Sequence, residues 1–283
     1  MIQIPVIYLK DVKGISFNKG GDQMKQAITQ YMMVLALIVG SYFLGVYKTK
    51  TEYLEKGVGT PTTAQAPAGQ QPQKPANVDL EKIKDKFDGK HITFGKPNAK
   101  IVITEVSDPS CPFCHIAAGL HPELNNTSEQ FKMKADGGTY EPPVPEIKKL
   151  VDAGKASFIF LYAPGHGSGE VGTQAMYCAY DQGKFWEAHD KLMTKAGYDL
   201  LNNVVKNDLA QSNKVVELIG NSLDAKKLQS CLDSKKYAGQ AAEDTAFVQS
   251  LGFGATPTYF VNSTVVEGAQ SWTAFKPTLD SLL

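Results

Sequence analysis

The sequence predicts an α/β domain held behind a single N-terminal membrane-spanning helix. Three observations carry this reading. Residues 26–47 contain no charged side chain. Between residues 99 and 163 an apolar strand pattern, a helical pattern and a second apolar strand pattern follow one another, the alternation of a βαβ unit with a parallel pair. From 168 to 250 apolar residues recur at loosely helical spacing before the chain returns to strands, which predicts a helical insertion. The 283 residues suffice for a proper core. Net charge is zero, and all 29 basic residues are lysine. A neutral chain without the bidentate fork of arginine argues against nucleic-acid recognition.

The N-terminal tail, 1–25, has no assignable role. The segment 26–47 is 22 residues long, and as a helix it spans roughly 33 Å, enough for the hydrocarbon core of a bilayer. Tyr31, Tyr42 and Tyr47 stand where side chains favour the interfaces. A buried core helix is disfavoured by the polar flanks. A cleaved signal peptide is disfavoured because Lys48-Thr-Lys-Thr-Glu-Tyr follows the apolar run where a small-residue cleavage site belongs. Four lysines before the segment against Lys48, Lys50 and Lys56 after it favour the N-terminus inside by a narrow margin. Residues 48–79 form a linker whose Pro-, Gln- and Ala-rich part, 57–79, lacks core-forming residues. As a coil it separates its ends by roughly 25 Å.

The soluble domain runs from 80 to 283. Leu80–Phe87 reads as a short helix, His91–Phe94 and Ala99–Val106 as strands, and Cys114–Leu124 as helical apart from Pro122. Val144–Ala153 reads as a helix and Ala156–Ala163 as a second buried strand. After the insertion at 168–250 come two short strands, Pro257–Val261 and Ser263–Val266, turning at Asn262, and a final helix with Ser271 as its N-cap.

The chemistry centres on Ser107-Asp-Pro-Ser-Cys-Pro-Phe-Cys-His115. A dithiol that exchanges disulfides needs an exposed, acidic thiolate at its attacking sulfur. A helix N-terminus supplies one through unpaired N–H groups. Cys111 follows a strand and a turn, and Pro112 fits the first helical turn. Cys111 is therefore the attacking sulfur and Cys114, one turn inside, the resolving one. A zinc or copper site would need further ligands at short spacing; Cys178 and Cys231 stand 53 apart, so only His115 or His121 offers help. A purely structural Cys111–Cys114 staple closes too short a loop to stabilise much. Gly254-Ala-Thr-Pro-Thr258 places a proline at a strand start, where a cis bond is at home. His189, in Phe185-Trp-Glu-Ala-His-Asp190, reads as a packed helix residue.

With Glu105-Val-Ser-Asp-Pro-Ser-Cys-Pro-Phe-Cys114, Lys184-Phe-Trp-Glu-Ala-His-Asp190 and Leu251-Gly-Phe-Gly-Ala-Thr-Pro-Thr-Tyr-Phe-Val-Asn262 in view, the chain from 80 to 283 resembles the DsbA-like branch of the thioredoxin superfamily, in its membrane-anchored form. The resemblance implies a thioredoxin fold with an inserted helical domain after the second core strand. It implies that Pro257 is cis and packs beside Cys111, with the Thr256 backbone free to pair with an extended substrate. It implies that Glu105 is the buried acid beneath the cysteines, able to relay the proton of the buried thiol; by its position alone Glu105 could equally be a strand-end acid facing water. It further implies a thiol–disulfide oxidoreductase without a cofactor, acting on extracytoplasmic proteins, anchored in the lipid bilayer through 26–47 and coupled to a quinone-linked membrane partner. Related domains carry a second cysteine pair at matching places, so Cys178–Cys231 is read as a structural disulfide, the rival being two buried free thiols. A loop of that length contributes about 4 kcal/mol in the chain-entropy model. The direction is read as oxidase. A reductase, or a tethered peptide- or metal-binding module without turnover, are the alternatives. Three features depart from the family pattern: a long connection at 125–145, Phe113 in place of a charged residue, and His115, which either restores part of that charge or is a solvated surface residue.

Overall fold

The computed structural model describes residues 77–282. The tail, the expected anchor at 26–47 and nearly all of the linker lie outside the described residues. Among the described residues no helix is long and apolar enough to cross a membrane.

Helix α1 (Leu80–Lys84) begins at Asp79, whose carboxylate accepts the Glu81 N–H. Strands β1 (Ile92–Phe94) and β2 (Val102–Ser107) follow, then α2 (Pro112–Ala118), α3 (Pro122–Asn125) and α4 (Pro143–Asp152). After β3 (Ser157–Tyr162) the chain makes α5 (Glu170–Tyr180), α6 (Phe185–Leu192), α7 (Lys195–Asp199), α8 (Ser212–Ile219), α9 (Ala225–Asp233) and α10 (Gln240–Ser250). It closes with β4 (Thr258–Val261), β5 (Thr264–Glu267) and α11 (Lys276–Leu282).

The five strands form one mixed sheet in the order β1-β3-β2-β4-β5. β2 and β3 run parallel, with Glu105 opposite Phe160. β1, β4 and β5 each pair antiparallel to a neighbour. Every residue of β2 and β3 is buried, as expected of central strands covered on both faces. On one face Ile103, Phe158, Phe160, Tyr259 and Val261 pack against Ile116 of α2, Ile147 of α4 and Phe185 of α6. On the other, Val102, Val106, Ile159, Leu161 and Phe260 pack against Ile83 of α1 and Val248 of α10. Each such side chain, fully buried, contributes roughly 1.5–3 kcal/mol. A disulfide joins Cys178 of α5 to Cys231 of α9, with Cα atoms 5.9 Å apart.

Two elements differ from expectation. The helix expected over 114–124 stops at Ala118. Gly119 adopts φ 69°, and its N–H bonds back to His115 and Ile116. A Cβ there would lie 2.5 Å from Pro142 Cγ, so glycine is required both for the turn and for the close approach. Ser271 does not cap the last helix with its side chain. A short 3₁₀ turn, Trp272–Ala274, intervenes, and the Ser271 hydroxyl instead accepts the Glu141 N–H at 3.1 Å. The long connection at 125–145 competes for the cap.

Candidate active site

β2 delivers the chain to the site. It ends at Ser107; Asp108, Pro109 and Ser110 turn, and Cys111 occupies the N-cap of α2 with extended dihedrals and Pro112 behind it. The turn is held by a single buried carboxylate. Asp108 Oδ1 accepts the Ser110 N–H and hydroxyl, both at 2.7 Å. Its Oδ2 accepts the N–H groups of Gly165 at 2.8 Å and His166 at 2.9 Å. Asp108 thus ties the cysteine loop to the loop after β3 with charge-assisted bonds. Sequence reasoning treated Asp108 only as a turn former, because its partners are 57 and 58 residues away.

The two cysteines are free thiols in this structure, and their environments differ. The Cys111 pKa falls from 9.0 to about 6. The Cys114 thiol hydrogen bond is the main cause; the Phe113 and Cys114 N–H groups of the helix start add to it, and burial opposes it. Burial, with Cys111 as the next contribution, pushes Cys114 well above the ordinary thiol range. Its sulfur accepts the Asp108 N–H at 3.4 Å. The pair therefore has one sulfur poised as an anion and one held as a thiol.

Cys111 is less open than a solvent-exposed nucleophile, at 3 % accessibility. Gly165 explains this. A Cβ on Gly165 would lie 3.2 Å from Cys111 Cβ and clash with the Thr256 hydroxyl, so the loop after β3 packs against the Cys111 side chain. The Thr256–Pro257 peptide is cis, and the Cys111 thiol donates to the Thr256 carbonyl at 3.5 Å. Thr256, Pro257 and Cys111 are thus brought together, from positions 145 residues apart.

Glu105, in the middle of β2, is 1 % exposed. Its neighbours across the sheet are Phe160 and Tyr259, and neither carboxyl oxygen has a hydrogen-bond partner. Burial raises its pKa, because this apolar layer disfavours the charged form.

His115 is fully buried rather than solvated. Its Nδ1 lies 2.8 Å from the Met193 carbonyl and its Nε2 2.9 Å from the Pro109 carbonyl. Two acceptors favour the doubly protonated ring, but burial outweighs them and brings the pKa down to about 4. The ring is neutral at pH 7 and does not replace the charge that Phe113 leaves out. Its role is mechanical: it packs between the turn before Cys111 and the C-terminus of α6, and the neutral ring donates to one of the two carbonyls.

The connection at 125–145 folds beside the site. Tyr140 and Lys132 exchange a backbone bond at 3.0 Å, and Phe131 contacts Phe113 and Tyr140 with ring centroids 6.0 and 5.7 Å apart. Phe113 is 49 % exposed. Together with Thr256 and Gly268–Ser271 these residues line a groove of about 400 Å³. Among the described residues no group of three or more His, Cys, Asp or Glu side chains is placed to hold a metal ion.

Comparison with known proteins bears on this geometry. The Thioredoxin family model matches residues 143–281, which covers the chain from α4 to α11 and begins after the dithiol. The fold is thioredoxin-like. Over 197 residues the chain is 24 % identical to disulfide bond formation protein D of Bacillus subtilis, covering 67 % of this chain and 75 % of that protein. It is also 26 % identical over 171 residues to Na(+)/H(+) antiporter NhaA 3 of Salinispora tropica, a match that takes in 59 % of this chain and only 21 % of the antiporter. Among solved structures, oxidised BdbD from Bacillus subtilis superposes with a TM-score of 0.50 at 20 % identity, covering 74 % of this chain and 96 % of that one.

Proposed function

We propose that the protein is a thiol–disulfide oxidoreductase of DsbA-like type, working through Cys111 and Cys114 in the direction of disulfide formation. The opposed shifts of the two thiols carry this reading. A stabilised Cys111 thiolate favours the reduced protein, which makes the disulfide form an oxidant. The similarity to a protein named for disulfide bond formation supports the same direction.

In the oxidised enzyme a substrate thiolate attacks Cys111 Sγ. The Cys111–Cys114 bond breaks, a substrate–Cys111 disulfide forms, and the Cys114 sulfur takes a proton from Glu105. A second substrate thiolate then attacks the mixed disulfide, and Cys111 leaves as a thiolate. Thr256 and cis Pro257 position the substrate backbone at the sulfur, and the groove beside Phe113 accepts its flanking residues. The substrates are extracytoplasmic proteins with thiols. Residues 26–47 anchor the domain in the cell membrane, and a quinone-linked membrane protein reoxidises the pair.

A Cys114→Ala variant tests the proposal by removing the thiol that would release partners bound to Cys111 as mixed disulfides. Covalent adducts through Cys111 with cell-envelope proteins support it; their absence leaves a binding module without turnover. A glutathione titration then fixes direction, since a reduction potential as low as that of thioredoxin would make the protein a reductase.

A further inference from the structure

If Glu105 serves Cys114, as the reading above has it, its proton needs a way out of the core. The sheet register points to one. Glu105 is directly opposite Phe160, so both side chains project from the same face. The Phe160 ring meets Phe185 at 5.4 Å. His189 is one turn further along α6, in contact with Phe185 at 5.7 Å and Trp186 at 5.5 Å, and it is fully buried. The Glu105 carboxyl lies within electrostatic reach of His189 and Asp190.

His189 Nδ1 lies 3.0 Å from Asp190 Oδ1. A carboxylate only accepts, so Nδ1 carries the hydrogen and Nε2 keeps a lone pair. That Nε2 is buried with no partner, as are both oxygens of Glu105. A carboxyl group and an imidazole nitrogen with a free lone pair therefore share one buried layer, where a bridging water is the ordinary link. The far end of the path opens outward. The Asp190 side chain is 51 % exposed and lines a surface cavity of about 310 Å³ together with Trp186 and Leu120.

We infer that His189 carries the proton between Glu105 and solvent at Asp190. When Cys114 attacks a mixed disulfide on Cys111, Glu105 first passes its proton to His189 Nε2, and the Nδ1 proton leaves through Asp190 to water. The Glu105 carboxylate then takes the Cys114 proton. The new Cys111–Cys114 bond forms, and the partner sulfur departs as a thiolate. One proton reaches solvent, Glu105 is protonated again, and the ring returns to its first tautomer through water. The charged and titratable groups around His189 are Glu105 from β2, His115 from α2 and Asp190 beside it. Lys148 of α4 stands over the neighbouring Trp186 ring at 5.6 Å. His189 touches neither sulfur; it is a positioning residue for the proton.

The test is the release of glutathione from the protein charged with glutathione at Cys111, followed by stopped flow across pH. His189→Ala slows release by about tenfold or more near neutrality. Added imidazole, entering by the cavity at Asp190, restores it, while the alkylation profile of Cys111 stays that of the parent. A release rate within about twofold of the parent overturns the inference, and so does a slowing that imidazole fails to relieve, because that assigns His189 to packing. If His189→Ala does not fold, Asp190→Asn decides: slowed release supports the path, and an unchanged rate refutes it. A parent protein that never releases glutathione sinks the oxidoreductase reading instead, so the two failures are distinguishable.

Discussion

The Cys111 thiol faces the carbonyl oxygen of Thr256 at 3.5 Å, whereas the hydrogen bond that most lowers its pKa comes from Cys114. Alkylation of Cys111 should follow a titration with its midpoint near pH 6. Cys114→Ala removes the largest stabilising contact, so the midpoint should move up towards an ordinary thiol. A midpoint unmoved by the substitution would assign the acidity to Thr256 and the helix N-terminus instead.

The same shift makes the stability of the reduced protein depend on pH. The folded-state pKa of Cys111, about 6, lies below its ordinary value of 9.0. The stabilisation from Cys111 therefore builds as pH rises from 6 to 9 and is lost as pH falls through 6, while the raised Cys114 pKa takes stability away above pH 9. Thermal melts of reduced and oxidised protein between pH 6 and 9 should show the reduced form gaining on the oxidised one as pH rises.

Glu105 should trade stability against activity. Its carboxyl is buried without a partner, a situation that costs about 1–3 kcal/mol. Glu105→Leu should therefore raise the melting temperature while slowing the release of glutathione from Cys111. Loss of stability in that variant would mean that the acid is bonded through ordered water.

Asp108→Ala should be far more damaging than its place in a turn suggests. It strips the acceptor from the Ser110, Gly165 and His166 N–H groups, and the buried Ser110 N–H, left unsatisfied, by itself costs about 1–3 kcal/mol. Asp108→Asn keeps one acceptor oxygen and should lose less. Denaturant melts of the two variants check the order.

Much of the fold was legible because it depends on local pattern. The apolar runs at 99–106 and 156–163 are β2 and β3, and Pro112 behind Cys111 marks the start of α2. The helix break at Gly119 depends on Pro142, 23 residues on, and Ser271 is diverted by Glu141; no local pattern reports either contact. The site divides the same way. Cys111, Cys114 and Pro257 announce themselves by spacing and residue type. Asp108, Gly165 and the buried state of His115 depend on what the chain brings against them from the loop after β3 and the end of α6. His189 read as packing because one turn of a helix does not tell which nitrogen lacks a partner.

The bond between Cys178 and Cys231 closes a 53-residue separation, and joining two thiols removes two electrons and two protons from the chain. A newly made copy therefore leaves synthesis short of its finished covalent state. Something already oxidised must accept those electrons before the helical insertion is locked, so this catalyst is born as a customer of the chemistry it goes on to perform.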